Sequence, residues 1–213
     1  MLVCDSLLSS LTYSLLSSQG HAGMTLDDFV DHAFSRMAGL RRHHVLALRL
    51  YTSSTYRQLN GPLRKINSAT GRGQAPHPFR FTIYVLSAAL KMLRVVAAKL
   101  NPEEFNTVKW LYRGMADVTL DTSGRFLLEG GTEVALMSTT DKLEVALSYA
   151  RSRCPLVFKY KTQGLNRGCS IQFLSLYPFE TEFLYPPLTF ISAEGECYVE
   201  DGITFLDVTP QMS

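Results

Sequence analysis

The sequence has few of the features that mark metal sites, disulfide-rich secreted scaffolds and zinc-binding modules. Its four cysteines, Cys4, Cys154, Cys169 and Cys197, are far apart and include no C-x-x-C pair. Its five histidines lie away from the cysteines in sequence, which argues against a structural zinc site. One disulfide between Cys154 and Cys169 is compatible with neighbouring strands, but buried free thiols are the simpler interpretation. We therefore expect no metal and a reducing compartment.

The sequence also lacks an obvious membrane or targeting segment. No run of about 18 apolar residues is present that could cross a bilayer. The opening stretch MLVCDSLLSSLTYSLLSSQG contains several serines and Asp5 and has no basic segment, so no signal peptide is predicted. We expect a cytoplasmic protein without membrane contact, and a secreted effector is the alternative.

Charged residues are few, at 19% of the chain, and their signs are unevenly distributed. Residues 1–100 have 12 Lys and Arg against 4 Asp and Glu, whereas the remaining residues have 9 against 15. The basic front half contains no known nucleic-acid-binding motif, so no nucleic-acid partner is expected. The acidic second half favours a cationic partner, although solvated surface explains most charge biases.

Helical signals dominate the front half of the chain. Thr25 followed by Asp28 predicts the cap of a first helix, and a second helix is predicted over roughly residues 42–51. Asn60-Gly61-Pro62 predicts a break. Beyond it, an apolar stripe that includes Leu86, Leu90 and Leu93 predicts a long core-facing helix.

Short runs rich in β-branched and aromatic residues follow residue 105, separated by Gly, Asp and Pro turns. These runs are VKWLYR, VALMST, LVFKYK, CSIQFL, EFLYP, TFISA, CYVE and ITFLDV. One helix interrupts them, in TTDKLEVALSYARS, where Asp141 and Glu144 resemble a capping box. We predict an α+β fold in which an N-terminal helical layer precedes a two-sheet, mostly antiparallel β core. Residues 1–213 are predicted to form a single domain, mainly helical over residues 1–104 and β-rich over residues 105–213.

Two stretches of the β-rich part combine polar residues with apolar neighbours. In WLYRGM, strand alternation puts Arg113 on the same face as Leu111, and Gly114 would let a ligand approach the main chain. An inward-facing arginine needs either an anion or a structural carboxylate as partner. In MSTT, the hydroxyls of Ser138, Thr139 and Thr140 could hold a ligand or cap the following helix.

A third stretch, SLYPFETEFLYPPLTF, contains two glutamates. Glu180 and Glu182 are two residues apart, so in extended structure both side chains would point the same way. On an exposed strand such a pair would be unremarkable. Tyr177 and Phe179 in the preceding turn could contact a partner or pack as a buried hinge.

Taken in this order, the stretches resemble the arginine-serine-glutamate class of mono-ADP-ribosyltransferases, the cholera-toxin-like group. Arg113 in YRG matches the family's first-strand arginine, and MSTT resembles its serine-threonine-serine strand apart from the third hydroxyl residue. Glu180-Thr181-Glu182 matches its E-x-E motif. With LRLYTSSTYRQLNGPLRK and the Pro-Pro-x-Thr of PPLTF, the resemblance spans roughly residues 45–207. It implies an ADP-ribosyltransferase-type fold, and NAD as a substrate without a metal.

The resemblance also implies roles in cleaving the bond between nicotinamide and ribose. Glu182 would hold a hydroxyl of the nicotinamide ribose and stabilise an oxocarbenium-like state, and Ser138 would orient its carboxylate. Arg113 would bind an NAD phosphate, and the Gly114 main chain would take the carboxamide. Thr139 is expected to belong to the same NAD site.

Glu180 is predicted to act on the acceptor. In the family, glutamate at this place accompanies arginine as the acceptor, so a protein arginine of unknown identity is the predicted partner. An NAD glycohydrolase with the same cleavage residues is an alternative. A second alternative is a non-catalytic NAD-binding or interaction module, against which the intact Arg113, Ser138 and Glu182 argue.

Overall fold

Two units make up the structure, which is a computed structural model describing residues 21–65, 76–100, 102–120 and 124–212. The helical unit consists of the described residues up to Val96 together with Ile171–Phe179. The sheet unit consists of the described residues in Ala97–Ser170 and from Glu180 onward. The predictions for the opening stretch and for Cys4 fall outside the described residues.

The described part of the first half contains five helices. They are α1 (Leu26–Val30), α2 (Ala33–Ala38), α3 (Arg42–Tyr51), α4 (Tyr56–Lys65) and α5 (Arg80–Leu100). The predicted cap of α1 is confirmed, because the Asp28 amide donates to the Thr25 hydroxyl and the Asp28 carboxylate accepts from the Thr25 amide. Helix α3 also begins at the predicted residue.

The predicted break at Asn60-Gly61-Pro62 is wrong, because α4 continues through Pro62 to Lys65. Leu59 and Asn60 are buried in this helix, and Asn60 Nδ2 donates to the Tyr51 hydroxyl at 3.2 Å. Tertiary contacts of this kind outweigh the local preference of Gly and Pro for a helix end.

Helix α5 has 21 residues and, by length and composition, is apolar enough to cross a membrane. This finding corrects the expectation that the chain has no such segment. Core helices of soluble proteins meet the same criterion, so the finding is weak evidence for a membrane span. The buried residues of α5 are Leu86, Ala89, Leu90, Leu93 and Val96.

The segment Ile171–Phe179 is attached to the helices of the same unit by buried polar contacts. Arg49 Nη1 donates to the Leu174 carbonyl at 2.8 Å, and the Leu176 amide donates to the Thr52 hydroxyl at 3.1 Å. Tyr177 and Phe179, by contrast, are exposed, with ring centroids 6.1 Å apart. The buried-hinge interpretation of these two rings is therefore wrong.

The sheet unit alternates short strands with short helices. Its strands are β1 (Lys109–Met115), β2 (Gly131–Glu133), β3 (Met137–Thr140), β4 (Leu156–Thr162), β5 (Cys169–Ser170), β6 (Glu182–Tyr185), β7 (Thr189–Ala193), β8 (Tyr198–Glu200) and β9 (Ile203–Gln211). Its helices are α6 (Pro102–Asn106), α7 (Arg125–Glu129) and α8 (Leu143–Ala150).

These strands form two groups, and a single bridge joins them. The first group has the order β2-β7-β9-β4-β1, with β8 beside β9, and the second has the order β3-β6-β5. Seven residue pairs align β1 with β4, whereas Tyr112 opposite Thr140 is the one pair between β1 and β3. Among the described strands only β4 and β9 pair in parallel. The predicted α+β class with a mostly antiparallel sheet is confirmed, and the two predicted sheets are joined into one network.

Several local predictions for this unit need correction. The run CSIQFL forms a strand only over Cys169–Ser170, because the chain turns after Ser170 into the helical unit. Helix α8 has no capping box, since Asp141 pairs instead with Lys109 Nζ at 2.9 Å. The short helix α7 was not predicted. Cys154, Cys169 and Cys197 are free thiols, so the disulfide alternative is wrong.

Candidate active site

Arg113 lies on β1 and faces the interior, with 18% of its side chain exposed. Its Nη1 donates to the Ser138 carbonyl at 3.3 Å, and its Nη2 lies 3.7 Å from a carboxylate oxygen of Glu133. Both distances are long for a charged hydrogen bond. The guanidinium is therefore placed by its neighbours without being held tightly by them.

Ser138 and Glu182 are brought together by the antiparallel pairing of β3 and β6. Thr140 lies opposite Glu182 and Ser138 opposite Leu184, so Ser138 and Glu182 are diagonal neighbours on one face. The Ser138 hydroxyl donates to Glu182 Oε1 at 2.5 Å. A hydrogen bond this short between a hydroxyl and a carboxylate fixes the orientation of the Glu182 side chain.

Glu180 reaches its position by a different route from Glu182. It ends a 3-10 turn (Pro178–Glu180), and Thr181 has a φ of 50°, in the left-handed region that a β-branched residue rarely adopts. The expectation that both glutamates extend from one strand is therefore wrong. The Thr140 hydroxyl donates to the Glu180 carbonyl at 2.5 Å, which fixes the main chain at this turn.

The Glu180 carboxylate contacts helix α8. The Tyr149 hydroxyl lies 3.2 Å from Glu180 Oε1 and 3.3 Å from Oε2. Burial raises the pKa of Glu180 above its usual value, and the hydrogen bond from Tyr149 partly offsets that rise. Glu180 is thus a stronger proton acceptor than an ordinary glutamate.

Gly114 has a structural reason to be glycine. A Cβ at this position would overlap the Ala146 carbonyl oxygen and would lie 2.9 Å from the Ala150 nitrogen. Strand β1 and helix α8 thus approach closely enough to exclude any side chain there. The proposed contact of a ligand with the Gly114 main chain stays a prediction.

Thr139 is a predicted site residue whose side chain lies apart from those of Ser138 and Glu182. Its side chain is buried, and its hydroxyl donates to the Phe183 carbonyl at 3.1 Å. Because successive residues of a strand face opposite sides, Thr139 points away from the face that carries Ser138.

Sequence reasoning missed two residues of this arrangement, Glu133 and Tyr149. Glu133 lies on β2, far from Arg113 in sequence, and no local pattern marks it. The hydroxyl of Thr140 was noted as part of MSTT, but its bond to the Glu180 main chain depends on the pairing of β3 with β6. Tyr149 could have been suspected as a polar-tipped aromatic residue on a helix whose other residues are mostly apolar.

A metal site is not evident in the part of the chain that the structure describes. There, no group of three or more His, Cys, Asp and Glu side chains is placed to hold an ion.

Comparison with protein families identifies the chain. The family model of the NAD:arginine ADP-ribosyltransferases matches residues 28–203, which include Arg113, Ser138, Glu180 and Glu182. The chain belongs to this family. It is an ADP-ribosyltransferase that uses NAD, and the arginine, serine and glutamate found together here are consistent with that membership. A search of curated proteins gives no match.

Solved structures of ADP-ribosyltransferases share the fold. HopU1 of Pseudomonas syringae pv. tomato DC3000 is 21% identical with a TM-score of 0.67, covering 94% of this chain and 95% of that one. Vis, from Vibrio splendidus, in complex with agmatine, is 18% identical with a TM-score of 0.58, covering 94% and 91%. Exoenzyme S of Pseudomonas aeruginosa, with human 14-3-3 protein beta and carba-NAD, is 18% identical with a TM-score of 0.58, covering 94% and 87%. At these identities the likeness supports the fold alone.

Proposed function

We propose that this ADP-ribosyltransferase transfers a single ADP-ribose from NAD to an arginine side chain of a protein and releases nicotinamide. The observation that supports this most directly is the separation of the two glutamates. Glu182 is bound by Ser138 on β3, and Glu180 is bound by Tyr149 on α8. Two carboxylates in different surroundings can serve two different reactants.

On the donor side, the bond between the ribose C1′ and the nicotinamide nitrogen breaks, and its electron pair leaves with nicotinamide. Positive charge then develops on the ribose ring. The Glu182 carboxylate, already oriented by the Ser138 hydroxyl, stabilises that charge without reorganising. An ionised carboxylate has about four acceptor sites, so Glu182 can accept from a ribose hydroxyl while Ser138 holds it.

Arg113 supplies the positive charge for the NAD diphosphate. Its guanidinium is mostly buried, stays charged at any physiological pH and offers a planar fork of donors. Its present contacts, to the Ser138 carbonyl and to Glu133, are long enough to be replaced by shorter bonds to phosphate.

On the acceptor side, the free guanidinium is a poor nucleophile, because its pKa lies above about 12. The Glu180 carboxylate can orient an arginine side chain through two N–H groups and take one proton as the new bond from nitrogen to C1′ forms. The raised pKa of Glu180 favours this proton transfer. The arginine named in the family description and the agmatine bound to Vis are consistent with a guanidine acceptor.

The proposal is tested by following two products of the same reaction. Wild-type protein, Glu182→Gln and Glu180→Gln are incubated with NAD and agmatine, and both nicotinamide and ADP-ribosyl-agmatine are measured. We expect Glu182→Gln to lower both products by about a hundredfold or more, because every product requires the stabilised oxocarbenium. Glu180→Gln should still release nicotinamide into water, while its transfer to agmatine should collapse.

Two results would contradict the proposal. If Glu180→Gln transfers to agmatine as well as wild type does, Glu180 does not serve a guanidine acceptor. If wild type releases nicotinamide but modifies neither agmatine nor any protein arginine, the chain acts as an NAD glycohydrolase. Absence of both products from wild type would favour the non-catalytic alternative.

A further inference from the structure

Tyr149 lies on the face of α8 that meets Glu180. Its hydroxyl is within hydrogen-bonding distance of both carboxylate oxygens, at 3.2 and 3.3 Å, so one donor is shared between two acceptors. Tyr149 is about half exposed, at 53%, which places it at the surface. The contact joins residues 31 apart in sequence, and no part of the E-x-E motif predicts it.

We propose that Tyr149 is a positioning residue for the acceptor step, whose hydroxyl holds the Glu180 carboxylate in the orientation that receives the guanidine. This inference rests on the proposed function of Glu180. It assigns to α8 a part in arginine transfer that is separate from NAD cleavage.

The first argument is that the Glu180 side chain needs an anchor. Thr140 fixes the Glu180 carbonyl at 2.5 Å, but this bond leaves the rotatable bonds of the side chain free. A glutamate side chain on a surface turn samples several rotamers, and ordering it costs conformational entropy. A donor that contacts both oxygens selects one of those rotamers before the acceptor arrives, which is the meaning of a preorganised group.

The second argument is that one shared donor leaves room for the acceptor. An ionised carboxylate has about four sites at which it can accept hydrogen bonds. The Tyr149 hydroxyl supplies a single proton between the two oxygens, so a guanidinium would donate to the remaining acceptor sites on their outer sides. Tyr149 can therefore hold Glu180 while the arginine binds, and a lysine at this place would instead neutralise the carboxylate as a competing cation.

The third argument is that the two glutamates have different orienting partners. Glu182 is oriented by Ser138, which lies on a different element. Loss of the Tyr149 hydroxyl should therefore change transfer to a guanidine and leave the cleavage of NAD in water largely unchanged. A merely structural role of Tyr149 would lower both reactions together.

The experiment compares Tyr149→Phe with wild type and with Tyr84→Phe, which removes the hydroxyl from an exposed tyrosine on α5. We expect Tyr149→Phe to lower kcat for agmatine transfer about tenfold, as for loss of a hydrogen bond to a charged group. Nicotinamide release without agmatine should stay within about twofold of wild type. Tyr84→Phe should match wild type in both assays.

A second measurement does not depend on the acceptor. Carboxyl resonances of Glu180, labelled with carbon-13 and assigned with Glu180→Gln, are titrated by NMR in wild type and in Tyr149→Phe. The hydrogen bond from Tyr149 lowers the pKa of Glu180, so removing the hydroxyl should raise that pKa further. Tyr84→Phe should leave the titration unchanged.

The outcomes separate the two proposals. Unchanged agmatine transfer in Tyr149→Phe would overturn the positioning role, whatever the Glu180 titration shows. Equal losses of transfer and of nicotinamide release would also overturn it, because they indicate a general structural effect. If wild type does not modify agmatine, the arginine assignment fails, and the titration alone then supports or overturns the contact between Tyr149 and Glu180.

Discussion

Arg49 in the helical unit and Arg113 in the sheet unit are both turned inward, but they are held in different ways. Arg49 is 2% exposed, its guanidinium carbon lies 3.8 Å from the centre of the Phe29 ring, and its Nη1 donates to the Leu174 carbonyl at 2.8 Å. Burial lowers its pKa to about 10, so it remains charged at neutral pH. Arg113 keeps a partly exposed side chain and makes longer contacts, at 3.3 and 3.7 Å.

The difference separates a structural arginine from one suited to a ligand. Short contacts in a fully buried setting satisfy Arg49 within the protein, and displacing them would leave buried groups unpaired. The longer contacts of Arg113 can be exchanged for an anion at little cost. Substitutions in the two units should therefore affect stability and NAD binding separately.

The largest expected effect is the loss of stability on substituting Gly114. This residue is next to Arg113, at a point where the sheet unit is tightly packed. In Gly114→Ala the new methyl group would overlap the Ala146 carbonyl of α8. We expect the free energy of unfolding to fall by about 3 kcal/mol or more, because neither backbone can move without disturbing its hydrogen bonds. Denaturant unfolding measures the change. The control is Gly61→Ala, at a position with open space around it, and a loss as small as the control's would refute the close approach of β1 and α8.

Next in size is the loss of the buried arginine. In Arg49→Met the Leu174 carbonyl loses its donor, so we expect unfolding to become easier by about 2 kcal/mol. Arg36→Met is the matched control, because the ion pair between Arg36 and Asp31 is mostly exposed and should contribute less than about 1 kcal/mol. Thermal melting of both variants decides the point. Equal melting temperatures for the two variants would show that Arg49 does not stabilise the helical unit through Leu174.

A smaller effect is expected from Arg113→Lys, which keeps the charge and removes the planar fork. NAD binding should weaken about tenfold, because a lysine cannot make the paired contacts of a guanidinium with phosphate. The free energy of unfolding should change little, since the contacts of Arg113 are long. Calorimetric titration with NAD measures the affinity, with Arg36→Lys as control. Equal affinities for wild type and Arg113→Lys would remove Arg113 from the phosphate site.

The smallest effect concerns Glu180. Burial raises the pKa of its carboxyl group, whereas burial lowers the pKa of Arg49. Folding raises the pKa of Glu180, so the folded state disfavours its charged form. At neutral pH, Glu180→Gln should therefore be more stable than wild type by a few tenths of a kcal/mol, a small value because the group is only half-buried. The gain should disappear as the pH falls below the usual range of a glutamate, near about 4. A stability difference that does not depend on pH would contradict the raised pKa.

Much of the fold follows from local patterns. The box formed by Thr25 and Asp28, the start of α3 and most strands were predicted because capping residues and alternating apolar residues act over a few positions. The continuation of α4 through Pro62 was not predicted, because it depends on contacts between helices, such as that of Asn60 with the Tyr51 hydroxyl of α3.

The candidate site was also predicted only in part from the sequence. Arg113, Ser138 and Glu182 were found because their order along the chain resembles a family, and the structure brings them together. The left-handed backbone of Thr181 was not predicted, because nothing in its residue type favours a positive φ. Partners such as Glu133 and Tyr149 become visible only when β2 and α8 are placed.

The single bridge between Tyr112 and Thr140 has a mechanical consequence for this unit. Arg113 belongs to the strand group on one side of that bridge, and Ser138 and Glu182 belong to the group on the other. A dinucleotide bound at Arg113 by its phosphates and at Glu182 by its ribose would contact both strand groups and link them across the bridge. Substrate would then stiffen the sheet that binds it, and amides of β3 and β6 would exchange with solvent more slowly in the loaded enzyme.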